Sequence, residues 1–215
     1  MTTVVVAFPW NADDALLAPL RERFPDLEIV AQPFLGSFAH HLPDAPDELT
    51  DEKLAVWARA DATLALDIPA PVSDLAPKLR WVQAIGAGID HLQDVGIPDD
   101  VVITNAAGVA AAPIAEFAIS RLLSVWKRLP EIDDEQAQHA WKPKFGRTVD
   151  GLTLGVIGLG AIGSAVAVRA RAFGMYVIGT RRSYKEGQDH PAVDELRGTA
   201  DLHEVLARCD AVVVS

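Results

Sequence analysis

The sequence has little of what disulfide-stapled, membrane and nucleic-acid-binding proteins require. Cysteine occurs once, at Cys209, which excludes an internal disulfide framework and favours a reducing compartment. The N-terminal MTTVVVAFPW has neither the cationic region of a signal peptide nor enough apolar residues for a membrane span. Lysine and arginine total 19 against 30 acidic residues, a net charge of −11, and they form no run. We therefore expect a cytoplasmic protein that binds neither nucleic acid nor a membrane surface.

The chain alternates between short apolar runs and helical patterns. Half of its residues are apolar and 23% are charged, which is typical of a globular protein. Repeated alternation of strand and helix predicts parallel sheets covered on both faces, here in two similar α/β units. We predict strands at 4–8, 27–31, 63–67, 81–85, 101–104, 154–157, 176–179 and 211–214.

Two of the predicted helices carry apolar stripes that we expect to face a core. The first stripe is formed by Leu16, Leu17, Leu20 and Phe24. The second belongs to a longer helix that Pro113 begins and Pro130 ends, and its members are Ile114, Phe117, Ala118, Leu122 and Leu123.

A glycine motif at 158–163 points to a nucleotide. GLGAIG matches G-x-G-x-x-G, follows an apolar strand and opens a helix rich in alanine and valine. In such a motif Gly158 allows a tight turn, Gly160 lets backbone amides approach a pyrophosphate, and Gly163 lets helix and strand pack closely. Ala161 and Ile162 would add the free amides of the helix start. The alternative is a turn that only packs the helix on the strand.

The segment Thr180-Arg181-Arg182-Ser183 indicates which nucleotide. An acidic residue about 20 positions past the motif would bind the ribose hydroxyls of NAD, but arginines stand there and no acidic residue lies between Gly160 and Ser183. The 2′-phosphate of NADP suits two guanidinium groups and a hydroxyl. We predict that NADP is preferred and that NAD is possible, the alternative being a solvated turn.

Further motifs resemble one enzyme family in their order and spacing. They are GAGIDH at 86–91, TNAAGV at 104–109, IAE at 114–116, DGLTLG at 150–155 and DAVVVS at 210–215, the last resembling the family's third cofactor-domain strand. On these residues the chain resembles the D-isomer-specific 2-hydroxyacid dehydrogenases, in particular NADP-preferring members similar to glyoxylate/hydroxypyruvate reductases.

The resemblance implies a fold and an activity. Residues 1–104 would form a flavodoxin-like substrate domain, and residues 105–215 the first half of a Rossmann NAD(P)-binding domain. The family transfers a hydride between the nicotinamide and a small 2-keto or D-2-hydroxy acid. Backbone amides of Gly86, Ala87 and Gly88 would hold the substrate carboxylate, although a simple turn is the alternative. The intact protein would be a homodimer, paired through the cofactor domain and its long helix.

The resemblance also implies that catalytic groups are missing. The family uses an arginine to polarise the carbonyl and a histidine paired with a carboxylate to move the proton, and none has a counterpart in these 215 residues. We therefore name no catalytic residue, and we expect a truncated chain without turnover. His91, next to the substrate loop, is expected to be structural, and no cluster has the spacing of metal ligands. A nucleotide-sensing protein of the same fold, without catalysis, is the alternative function.

Overall fold

A computed structural model describes residues 1–8, 14–34, 36 and 49–215. The chain divides into two compact units, Met1–Ala107 and Gly108–Ser215. This division falls near the predicted boundary between residues 104 and 105, while the assignment of one part to substrate and the other to cofactor stays a prediction.

The first unit is built on a parallel sheet. Its described strands are ordered β2-β1-β3-β4-β5, which is the flavodoxin-like order, so this part of the predicted fold class is confirmed. The elements are β1 (Thr2–Ala7), α1 (Asp14–Arg23), β2 (Leu27–Ala31), α2 (Asp51–Trp57), β3 (Ala62–Ala65), α3 (Val72–Leu75), β4 (Trp81–Ala84) and β5 (Val102–Thr104).

The core of the first unit lies on the central strands, and α1 contributes less to it than its stripe predicts. Val5, Val82 and Trp57 are buried there. Of the four residues of the predicted stripe only Leu17 is buried, whereas Leu16, Leu20 and Phe24, the last just beyond α1, are exposed. The reason is the position of the helix: α1 packs against β2, the edge strand, and an edge covers a smaller part of a helix than the middle of a sheet.

The second unit is a four-stranded parallel sheet flanked by helices. Its described strands are ordered β8-β7-β6-β9. Counted from β6 this is the order 3-2-1-4 of the Rossmann fold, which confirms the predicted class. The elements are α4 (Ala111–Trp126), α5 (Leu129–Ala137), β6 (Thr153–Ile157), α6 (Ala161–Ala172), β7 (Tyr176–Arg181), β8 (Glu195–Gly198), α7 (Leu202–Arg208) and β9 (Ala211–Val214).

The structure corrects the position of the last strand. The segment DAVVVS at 210–215 was expected to be the third strand of this sheet, but β9 is the fourth and pairs with β6 on the side away from β7. The third strand is β8, which is not among the strands that the sequence predicts. The chain therefore contains both strands that flank the point where the strand order reverses, and ligands of open α/β sheets bind there.

The long helix α4 buries only part of the predicted stripe. Ala115 and Ile119 are buried, whereas Ile114 and Phe117 are exposed; Ala118, Leu122 and Leu123 are partly buried against the core. Because α4 packs closely against α6, a small residue suits the contact better than a large one. The helix ends at Trp126, and Pro130 lies in the first turn of α5.

None of the helices in the described ranges is long and apolar enough to cross a membrane.

Candidate functional site

The glycine turn between β6 and α6 is held in place by its neighbours. The backbone amides of Gly158 and Leu159 both donate to the carbonyl of Thr180, each at 3.1 Å. Gly158 has a φ of +101°, and a Cβ there would lie 2.2 Å from the carbonyl oxygen of Ser215. Glycine is therefore required at 158 both by the backbone conformation and by the nearness of Ser215.

Gly163 is required by the fold as well. A Cβ on Gly163 would lie 1.9 Å from the carbonyl oxygen of Gly158 and 2.8 Å from Oγ of Ser215. The hydroxyl of Ser215 donates to that same Gly158 carbonyl at 2.8 Å. The first turn of α6 thus packs directly on the glycine turn, as the motif predicts.

Gly160 differs from the other two glycines, because no described part of the fold requires it. It is exposed, its φ is −84°, and no atom of the described residues lies within 4 Å of the position that a Cβ would take. Gly160 is also the N-cap of α6, and no side chain among the described residues caps this helix start. Ala161 is exposed beside it and Ile162 is half-buried. An uncapped helix N-terminus with open space in front of it is suited to a phosphate group.

The end of β7 presents two arginines to solvent. Arg181, Arg182 and Ser183 are exposed, whereas Thr180 is only 1% exposed, so its side chain is enclosed by the protein. Within the described ranges, neither arginine forms a side-chain hydrogen bond or an ion pair. Other arginines of the unit, by contrast, pair with carboxylates: Arg169, Arg171, Arg197 and Arg208.

A polar cleft of about 470 Å³ lies beside Arg182. Its lining includes Arg182, Tyr184, Glu186, Arg197 and Asp201. The cleft contains carboxylates as well as guanidiniums, so its charge depends on which arginines are already paired.

Glu195 on β8 accounts for two of the paired arginines. Its carboxylate accepts hydrogen bonds from Arg208 at 2.5 and 2.8 Å, from Arg197 at 2.5 Å and from the hydroxyl of Tyr176 at 3.2 Å. The bond from Arg208 makes the largest contribution to lowering the pKa of Glu195 to about 2. Burial, more than the bond to Glu195, raises the pKa of Tyr176. Arg197 is thus paired with a carboxylate. Among the described residues that line the cleft, Arg182 is the cation without such a partner.

The predicted substrate loop follows β4 in the first unit. Ala87 and Gly88 are exposed and Gly86 is half-buried. A Cβ on Gly86 would lie 3.8 Å from the Gly88 carbonyl oxygen, and one on Gly88 would lie 3.9 Å from Oδ2 of Asp90. These are ordinary contacts, so neither glycine is required for packing. Both resemble Gly160 in this respect.

Two other residues named in the sequence analysis, His91 and Cys209, have contacts or burial that indicate their roles. Nε2 of His91 is 2.6 Å from the carbonyl oxygen of Leu66, a contact that holds the loop after β3 and fits the structural role expected of this histidine. Cys209 is half-buried, and burial is the main cause that raises its pKa, as suits a packing residue. Among the described residues no group of three potential ligands could hold a metal ion.

The sequence of the second unit matches a known protein family, in agreement with the geometry of its site. Residues 119–215 match the family model described as "D-isomer specific 2-hydroxyacid dehydrogenase, NAD binding domain". The matched part of the chain belongs to this family. The glycine turn and the strands in the order 3-2-1-4 both lie within the residues that match the NAD-binding domain of the D-isomer specific 2-hydroxyacid dehydrogenases.

Individual members of the family are similar over much of the chain. The glyoxylate reductase of Thermococcus kodakarensis is 34% identical over 158 residues, 69% of this chain and 46% of that protein. The D-3-phosphoglycerate dehydrogenase of Mycobacterium bovis is 34% identical over 174 residues, 75% of this chain and 33% of that protein. A solved D-isomer specific 2-hydroxyacid dehydrogenase family protein of Aeromonas salmonicida has a TM-score of 0.78 and 25% identity, covering 99% of this chain and 63% of that one. The chain thus spans less than two thirds of each.

Proposed function

We propose that this chain is the substrate-binding and nucleotide-binding part of an oxidoreductase that transfers a hydride between NADP(H) and a small 2-keto or D-2-hydroxy acid. Residues 1–104 would serve the substrate and residues 105–215 the cofactor. The observation that carries the proposal is the open Gly160 at the uncapped start of α6, placed at the reversal point of a parallel sheet.

The preference for NADP rests on the arginines at the end of β7. Arg181 and Arg182 are exposed and without a carboxylate partner in the described part of the chain. The 2′-phosphate of NADP would supply the missing anion, and the exposed hydroxyl of Ser183 can donate to it. Thr180 takes part only through its backbone carbonyl, which holds the glycine turn.

The substrate assignment rests on the loop at 86–88. Its glycines are not needed for packing, and exposed backbone amides beside small residues form a site that a carboxylate can approach. We expect small 2-keto acids such as glyoxylate, hydroxypyruvate or pyruvate, in keeping with a relative that is a glyoxylate reductase. The nicotinamide would supply the hydride, while the loop would hold the carboxylate and so orient the carbonyl.

The proposed function is tested by calorimetric titration of the 215-residue chain with NADPH and NADH. We expect both nucleotides to bind, NADPH more tightly, with competition by 2′,5′-ADP. We expect no oxidation of NADPH with glyoxylate, because the arginine and the histidine–carboxylate pair that the family uses have no counterpart in these residues. Equal affinities would contradict the cofactor preference, and measurable turnover would contradict the expected inactivity.

We further propose that a second copy of the chain covers the outward face of α4. Ile114, Phe117 and Val125 lie on one face of this helix, and the latter two are 67% and 70% exposed. Leu129, Trp141 and Phe145 of the same unit also have exposed apolar side chains. Large exposed apolar side chains grouped on one helix face are typical of an interaction site.

The dimer is tested with the double substitution of Phe117→Asp and Val125→Asp. Sedimentation equilibrium should show a dimer for the native chain and a monomer for the variant, because two buried carboxylates per partner oppose association. Val168→Asp, a change at an exposed apolar position of α6, serves as the control and should stay dimeric. A native chain that is monomeric at every concentration tested would contradict this proposal.

Cytoplasmic location and the absence of nucleic-acid and membrane partners stay predictions, supported by the single cysteine and the net charge of −11.

A further inference from the structure

The loop at 86–88 is fixed by the segment that follows β5. The side-chain amide of Asn105 donates from Nδ2 to the carbonyl oxygen of Ala87 at 2.7 Å. The backbone amide of Ala106 donates to the carbonyl oxygen of Gly86 at 3.0 Å. Two successive carbonyl groups of the loop therefore point toward the same neighbouring segment.

This arrangement determines where the loop's amides point. In a trans peptide the carbonyl oxygen and the amide hydrogen lie on opposite sides of the bond. The Gly86 carbonyl shares its peptide group with the Ala87 amide, and the Ala87 carbonyl shares its own with the Gly88 amide. Both amides consequently face away from Asn105, and neither donates to any acceptor in the described part of the chain. Adjacent free amides on one side of a loop form a concave anion site.

Asn105 is suited to this role because its side chain is held at both ends. Its Oδ1 accepts a hydrogen bond from the backbone amide of Ala107 at 3.3 Å while Nδ2 binds the loop. An aspartate could keep the first bond but has no donor for the second. The carboxylate of Asp90 lies near Gly88, so an anion needs well-oriented amides to bind here.

We propose that Asn105 is a positioning residue, which orients the Ala87 and Gly88 amides toward the substrate carboxylate. The inference rests on the proposed function of the loop. It predicts that Asn105 affects binding of the 2-keto acid without affecting binding of the nucleotide.

The test uses the ¹⁵N-labelled chain and pyruvate as the probe, followed by amide chemical shifts. In the native chain pyruvate should shift the Ala87 and Gly88 resonances, and the neutral pyruvamide should not. Asn105→Ala and Asn105→Asp should each weaken pyruvate binding about tenfold or more, the loss expected when an oriented hydrogen-bonding site is released. NADPH affinity should stay unchanged in both variants.

Thr104→Val is the matched control. Thr104 lies one residue away and bonds Gln83 and Trp81 but not the loop, so this variant should bind pyruvate as the native chain does. Native-like pyruvate binding by Asn105→Ala would overturn the role of Asn105 and leave the proposed function standing. Absence of pyruvate-dependent shifts in the native chain would overturn the proposed substrate site together with this inference.

Discussion

Replacing Arg181 and Arg182 together with alanine is expected to weaken NADPH binding about a hundredfold and to leave NADH binding nearly unchanged. Each guanidinium would lose a charge-assisted hydrogen bond to the 2′-phosphate, a loss of about 1.5 kcal/mol or more, which is about tenfold per arginine. NADH has no phosphate at this position and so loses little. Calorimetric titration with both nucleotides measures the effect.

The control for this experiment removes positive charge elsewhere in the same unit. Lys142 is exposed and has no ion pair within the described ranges, so Lys142→Ala should bind NADPH like the native chain. Arg181→Asp should go further than alanine, since its carboxylate repels the phosphate and can accept from ribose hydroxyls. A double alanine variant that binds NADPH with native affinity would show that the arginines only form a solvated turn.

The second large effect is a loss of stability when Gly163 is replaced with alanine, and Gly160 of the same motif provides the comparison. Gly163→Ala should destabilise the second unit by about 3 kcal/mol, because the new methyl group would overlap the Gly158 carbonyl and the structure must move to admit it. Gly160→Ala should leave stability within about 1 kcal/mol, since its φ is one that alanine adopts and no atom is near. Urea unfolding followed by circular dichroism distinguishes the two.

Gly160→Ala, although it changes stability little, should weaken binding of the nucleotide. Gly160→Ala places a methyl group where a pyrophosphate approaches, so its NADPH affinity should fall at least about tenfold although it is folded. A stable Gly160→Ala variant with native affinity would place the phosphates elsewhere. A Gly163→Ala variant as stable as the native chain would contradict the close approach of α6 to the turn.

The sequence is sufficient to predict the fold class and the elements that bear strong patterns. Strand β2 begins and ends at the predicted residues, and the glycine motif leads from strand to helix as expected. These predictions succeed because a run of β-branched residues and a turn that admits only glycine have few structural alternatives.

Strand β8 could not be predicted in the same way. Its residues Glu195-Leu196-Arg197-Gly198 include one large apolar side chain, and its charged residues are satisfied by one another and by Arg208. Edge strands are commonly short and charged, so they lack the periodicity on which a prediction depends. Missing β8 led directly to the wrong position for β9.

The exposure of two predicted stripe residues of α4, Ile114 and Phe117, has a different reason. This helix is apolar on most sides, so periodicity alone cannot tell the face that packs on α6 from the face that stays exposed. The choice is made by the close approach of the two helices, which favours Ala115 over Phe117. At the candidate site, Asn105 was part of a recognised motif, but its role depends on a hydrogen bond across 18 residues of chain.

The carbonyl of Thr180 joins the glycine turn to the strand that ends in the arginines. Because this buried residue bonds to the turn, the two candidate phosphate positions are held at a nearly fixed distance from each other. Binding of a nucleotide would then depend on the distance between its two phosphate groups as well as on its charge. A nucleotide whose second phosphate is attached at another ribose position would not bring that phosphate to the arginines, however many negative charges it carried.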